Sequence, residues 1–157
     1  MKTKSRLDII DRRLLEKAQV VPLTLRPWKS IANELGITEE EVLERLSKLC
    51  QKGIVRKVAP ALSPERVGLR ASTLIAVKVP ESRIRKVAKL VSKRPEVSHC
   101  HQREHEYNFW FTVAAHDEVG LEKILANIRR ESDIPENDVL DLRPTKIFKI
   151  DVRFQLV

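Results

Sequence analysis

The chain has 157 residues, room for one domain or two small ones, and 42% of them are hydrophobic, so it folds around a core. Only 4% are aromatic, which makes that core mostly Leu, Ile and Val. Thirty bases against 22 acids leave a net charge of +8, which favours an anionic partner, either nucleic acid or a polyacidic small molecule.

No apolar run approaches the ~20 residues of a membrane span, so no membrane association is expected. The opening MKTKSRLDIIDRR breaks its apolar residues with charges at every turn and does not read as a secretory signal. Cys50 and Cys100 lie in different segments and suggest no disulfide framework. A reducing cytoplasm is therefore the expected location.

In chain order, Leu7, Ile10, Leu14 and Ala18 recur at helical spacing, so residues ~5 to 19 read as an amphipathic helix. VVPLTLRP follows as an irregular connection. Pro27 suits the first turn of a second helix with the buried stripe Trp28, Ile31, Ala32 and Leu35, and Gly36 ends it. Thr38 and Glu41 form a T-x-x-E capping box for a third helix, with Val42, Leu46 and Leu49 inward. IVRKVAP reads as a short strand. Three helices and a wing predict a winged helix-turn-helix over residues 1–62.

Such a module usually binds DNA through the N-terminal end of its third helix. Here that end reads TEEEVLER. Glu39, Glu40, Glu41 and Glu44 put carboxylates where phosphates would lie, so DNA binding is not expected.

LSPERVG, residues 62–68, reads as a linker. STLIAVKVP is strand-like, and Ile84, Val87, Ala88 and Val91 give a helix stripe. VSHCHQREHEYNFWFT then supplies two strands of a hairpin. Asp117 caps a helix with the stripe Leu121, Ile124, Leu125 and Ile128. The tail IFKIDVRF alternates, with Phe148, Ile150, Val152 and Phe154 on one face, and is read as the last strand. The order β-α-β-β-α-β predicts a ferredoxin-like domain over residues 69–157. The fold class is thus α+β, with one sheet face left for a ligand or a partner chain.

The stretch from Val97 to Thr112 is the candidate site. If residues 97 to 105 form a strand, His99, His101, Arg103 and His105 share one face. Four nitrogen-rich side chains suit something acidic or metal-bearing better than a core. A structural zinc site would want a fourth ligand, and Cys100 points to the other face. No bound metal of the protein's own is expected.

A winged helix-turn-helix followed by a βαββαβ domain resembles the Lrp/AsnC family, and LDIIDRRLL and GIVRKVAPALSPERVG are similar to its pattern. Three further stretches resemble the siroheme decarboxylase branch: PLTLRPWKSIANELGITEEEVLERL, VSHCHQREHEYNFWFT and RPTKIFKIDVRF. His99, Arg103, Tyr107, Asn108 and Trp110 match that branch's motif, whereas Cys100, His101 and Phe109 depart from it.

The resemblance implies removal of two acetate carboxyls from siroheme, giving 12,18-didecarboxysiroheme in alternative haem biosynthesis. It also implies a paralogous second subunit as partner. Siroheme carries eight carboxylates, so Arg103, Arg143, Lys146 and Lys149, with Arg56 and Lys57 on the wing, are candidate cations. His101, Tyr107, Asn108 and Trp110 complete the candidate substrate contacts. His99 and His105 are the candidate proton-transfer residues, or one of them ligates the substrate iron. No organic cofactor is expected. The competing readings are an Lrp/AsnC-type transcriptional regulator and a haem or siroheme sensor without catalysis.

Overall fold

The computed structural model describes residues 7–149 and 153–156. The chain divides into two compact units, residues 1–60 with 149–157, and residues 61–148. The tail beyond Phe148 thus groups with the first unit, where a domain from 69 to 157 had been expected.

The first unit holds helices α1 (Ile9–Ala18), α2 (Pro27–Leu35) and α3 (Glu39–Gln51). Asp8 caps α1 by accepting from the Asp11 N–H at 2.6 Å, and the Asp11 carboxylate closes a reciprocal capping box. Pro27 opens α2, and Gly36 ends it in the left-handed region at φ 70°. Leu14, Ile31, Ala32, Val42 and Leu46 form a buried cluster, flanked by Trp28 and Leu35.

Two expectations for this unit need correcting. Thr38 does accept from the Glu41 N–H at 3.1 Å, but the box is not closed, because the Glu41 carboxylate accepts from Arg45 Nε at 2.9 Å instead. Residues 56–60 form no strand, so the helix-turn-helix carries no β-wing there. An isolated β-rich run without a pairing partner has no ladder to join.

The second unit holds β1 (Ala71–Val77), α4 (Glu81–Val91), β2 (Val97–Gln102), β3 (Phe109–Ala115), α5 (Glu118–Ser132) and β4 (Val139–Leu142). The sheet is antiparallel in the order β2-β3-β1-β4. Ile84, Val87 and Val91 of α4 and Leu121 and Ile128 of α5 pack with Ile75, Phe109, Phe111 and Val113 into one core. Both helices therefore cover the same sheet face, as the βαββαβ order requires.

The fourth strand is not the alternating tail. It is the shorter Val139–Leu142, which pairs with β1 from Leu74↔Leu142 to Val77↔Val139. Ile150, Asp151 and Val152 lie outside the described residues. The described tail follows α1 instead: the Phe154 N–H donates to Gln19 Oε1 at 2.5 Å, Gln19 Nε2 donates to the Phe154 carbonyl at 2.9 Å, and the Leu156 N–H donates to Glu16 Oε1 at 2.6 Å. Side-chain groups of a helix thus satisfy backbone that a sheet would otherwise pair.

Candidate functional site

The sheet face opposite the helices is read directly from the register. Residues directly opposite each other in antiparallel strands share a face. One row across the sheet runs Leu142, Leu74, Thr112, His99, and the next runs Leu140, Ala76, Trp110, His101. The face is thus apolar towards β4 and β1 and carries imidazoles along the β2 edge. Leu74, Leu140 and Leu142 remain 38%, 36% and 41% exposed, so this apolar patch is open.

A β-bulge creates the imidazole edge. Val97 pairs with Val113 and His99 with Thr112, so two steps along β2 match one step along β3. In a regular strand, Val97 and His99 would share a face. The extra residue at Ser98 lets Val97 pack against the core while His99 and His101 point away from it. Ser98 Oγ also lies 3.0 Å from His99 Nδ1. His99 and His101 are two residues apart on one face, roughly 7 Å by strand geometry.

The shared face expected for four residues holds for His99 and His101 by strand register. The strand stops at Gln102, and the hairpin loop begins where the Arg103 N–H donates to the Asn108 carbonyl at 2.8 Å. Arg103 still reaches the face, its guanidinium 5.8 Å from the centre of the Trp110 ring. His105 lies in the loop, where its Nδ1 accepts from the Tyr107 N–H at 3.1 Å and its ring stacks on Tyr107 at 6.2 Å. An accepting Nδ1 places the proton of neutral His105 on Nε2. Among the described residues no group of three His, Cys, Asp or Glu side chains is arranged to hold a metal ion, so the three imidazoles do not converge on one point.

The loop is tied down by its own side chains. Asn108 Oδ1 accepts from the Val79 N–H at 2.9 Å, and Asn108 Nδ2 donates to the Val79 carbonyl at 2.7 Å. Trp110 Nε1 donates to the Tyr107 carbonyl at 2.6 Å. Lys78, absent from the sequence candidates, holds Glu106 in an ion pair and sits 4.7 Å over the Tyr107 ring. The hydrogen bond to Glu106, and then that carboxylate's charge, outweigh desolvation and raise the Lys78 pKa; the same bond lowers that of Glu106. The pairing of Val77 with Phe109 and the clasp between Asn108 and Val79 bring Lys78 beside this loop, so no local sequence signal marks it.

The remaining candidate cations are placed elsewhere. Arg143 follows β4 and is held by three carboxylates, Asp141, Glu118 and Glu122, two of them on α5 on the covered side of the sheet. The hydrogen bonds it donates to Asp141 and then to Glu122 raise its pKa. Lys146 is exposed beyond β4, 5.0 Å from the Phe148 ring. Arg56, Lys57 and Lys149 are exposed residues of the first unit. Within the second unit the structure therefore brings together His99, His101, Arg103 and Trp110, with the His105–Tyr107–Asn108 loop at the end of the same hairpin. That surface is an open sheet face with an apolar floor and a cationic edge. It suits a flat, largely apolar ligand with acidic arms.

Comparison with known proteins agrees with this layout. Residues 66–149 match the family model of the AsnC-like ligand binding domain, and residues 11–56 match that of the siroheme decarboxylase NirDL-like HTH domain. The chain is 40% identical over 151 residues to the siroheme decarboxylase NirD subunit of Pseudomonas aeruginosa, covering 96% of this chain and 97% of that one. It is 36% identical to the siroheme decarboxylase NirG subunit of the same organism, covering 96% and 100%. The crystal structure of the siroheme decarboxylase NirDL in co-complex with an iron-uroporphyrin III analogue superposes with a TM-score of 0.64 at 35% identity, over 83% of this chain and 43% of that one.

Proposed function

Because the chain belongs to the siroheme decarboxylase family, built on the Lrp/AsnC plan, we propose that it is a siroheme decarboxylase subunit, a carboxy-lyase acting on two acetate arms of siroheme. The product of this reading is 12,18-didecarboxysiroheme. The observation that carries it is the amphipathic sheet face. Leu74, Leu140, Leu142 and Trp110 offer a floor for the macrocycle, and His99, His101 and Arg103 line the edge where its carboxylates would sit.

Each decarboxylation needs two protonations and one deprotonation. A proton added to the pyrrole ring makes it an electron sink. The bond between the acetate methylene and its carboxylate then breaks, and its electron pair flows into the ring. Carbon dioxide leaves, the exocyclic methylene takes a proton to become methyl, and the ring gives its proton back. The balance is one acetate and one proton in, one methyl and one carbon dioxide out. His99 and His105 are assigned to this proton traffic, with one of them alternatively a ligand to the substrate iron. Arg103 is assigned to a substrate carboxylate, for which its planar fork is suited. Tyr107, Asn108 and Trp110 position the loop and floor. The iron belongs to the substrate, and the scheme calls for no organic cofactor.

The proposed partner is a paralogous subunit of the same fold. An open sheet face needs a cover to exclude water, and relatives of this chain bear the names of distinct subunits. Arg56, Lys57, Arg143, Lys146 and Lys149 stay as candidate contacts to the outer carboxylates.

The test is anaerobic incubation of the co-purified subunits with siroheme, followed by product mass. The expected result is loss of two carbon dioxide units, slowed by about two to four powers of ten in His99→Ala or His105→Ala. A shifted absorption spectrum with an intact ligand would instead establish a sensor. Equal rates in wild type and both variants would remove the histidines from the chemistry.

A further inference from the structure

Helix α4 carries a charge pattern that the sheet-face site does not use. From Glu81 to Arg94 there are six bases against one acid, a net charge of +5 in a short run. Arg85 and Lys89 stand four residues apart and Lys86 and Lys89 three, spacings that make neighbours on a helix surface, and Lys93 follows just past the helix end. Like charges so placed destabilise the helix by about 0.2–0.5 kcal/mol per pair. Arg85, Lys86, Lys89 and Lys93 are all exposed, and among the described residues none of the four makes an ion pair. The acids nearby are engaged elsewhere: Glu131 with Arg94 at 2.7 Å and Asp133 with Arg83 at 3.5 Å.

The lysines do more than decorate a solvated helix. Lys86, Lys89 and Lys93 line a shallow concavity of about 530 Å³ at the C-terminal half of α4, with Leu90 and Pro95 as apolar walls. Arg94, held by Glu131 at 2.7 Å, also lines it. Two carboxylates, Glu96 and Glu131, belong to the lining, and Glu131 is already engaged by Arg94. The three unpaired lysines therefore set the charge that a ligand meets.

We propose that this concavity binds a compact polyanion carrying two or three phosphate or carboxylate groups. Lysine ammoniums serve such groups as point charges, and the spacing of about 5–6 Å along one helix face matches neighbouring acidic groups on a single small molecule. The site is on the helix-covered side of the sheet and is independent of the siroheme reading.

The test uses the full chain and calorimetric titration at physiological salt. Tripolyphosphate serves as the phosphate probe and tricarballylate as the carboxylate probe. One-to-one binding of either is expected, and which of them binds tighter identifies the acidic group. Affinity should fall at least tenfold in the triple variant Lys86→Gln, Lys89→Gln, Lys93→Gln, and stay unchanged in Lys123→Gln on α5. The triple variant relieves like-charge repulsion and should melt no lower than wild type, which separates lost binding from lost folding. No binding of either probe overturns the proposal. So does equal weakening by Lys123→Gln, which would mark a non-specific charge effect. Tighter binding of a single-stranded oligonucleotide than of tripolyphosphate would reassign the face to nucleic acid.

Discussion

Asn108 engages both ends of its side-chain amide with one backbone residue, Val79, across 29 positions of sequence. The amide copies a strand neighbour: it accepts where β3 would accept and donates where β3 would donate. The exit of β1 and the start of the hairpin loop are thereby fixed to each other. Asn108→Ala removes both bonds and leaves the Val79 N–H and carbonyl without these partners, at a cost of about 1–3 kcal/mol. The expected result is a lower denaturation midpoint, with a raised KM for siroheme if the loop carries His105 into the site. Asn108→Asp keeps the acceptor but loses the donor to the Val79 carbonyl, so it should fall between the two. An unchanged midpoint in Asn108→Ala would show that the loop holds itself without this clasp. The residue was visible in the sequence as part of a polar motif and was assigned to substrate. Its structural work was not visible, because Val79 is remote in sequence and is a backbone partner with no side-chain signature.

At the scale of the element, the bulge in β2 absorbs one extra residue, Ser98. Deleting Ser98 makes Val97 and His99 consecutive, and a regular strand then still sends Val97 inward and His99 outward. The deletion and Ser98→Ala should therefore both keep the fold and the activity, checked by melting curves and product mass. Lost activity on deletion alone would show that the bend of the bulge, and not the alternation, places His99. The alternation of His99 with His101 was legible in VSHCHQ, because a period of two survives in any strand. The bulge was not, because period two alone would also have put Val97 outside. Helices were the most legible elements: α2 was delimited by Pro27 and Gly36, and α5 by Asp117. The fourth strand was misplaced because four residues interrupted by Asp141 give a weaker pattern than the alternating tail.

Helix α1 gives a second prediction at this scale. The Asp8 carboxyl is held below its ordinary value, first by the Asp11 N–H and then by Arg45. A depressed folded pKa contributes stability that is complete above the unfolded value of 3.8 and is lost as pH falls through the folded one. The first unit should therefore lose thermal stability progressively below about pH 4. Asp8→Asn keeps a competent N-cap and should weaken this dependence. Melting curves at pH 5 and pH 3 check it, and an identical acid response in the variant would place the acid sensitivity in other groups.

At the scale of the whole molecule, the net charge of +8 is unevenly distributed, and that distribution bears on what a helix-turn-helix is doing here. Phosphate contacts supply essentially all the non-specific affinity of a protein for DNA. The first turn of α3 instead presents Glu39, Glu40 and Glu41. The cations beside that turn are already held by carboxylates: Arg26 by Glu39, Lys48 by Glu44, and Arg45 by Asp8, Asp11 and Glu41 together. Freeing Arg45 for a phosphate would leave three acids facing one another, so the module resists conversion into a DNA reader. By sequence the first unit nets +6 and the second +2, so it is the placement of the acids around α3, and not a shortage of positive charge, that opposes a phosphate backbone here; in the other unit the densest positive run is Glu81–Arg94. Fluorescence anisotropy with a labelled random duplex at low salt should therefore show binding weaker than the ~10⁻⁴–10⁻⁶ M range of ordinary non-specific DNA binding. Any residual binding should fall in the α4 triple-lysine variant and stay unchanged in Arg45→Gln. Tight binding abolished by Arg45→Gln would restore the helix-turn-helix to its usual role. The first unit would then be a regulator's reading head and not a retained scaffold.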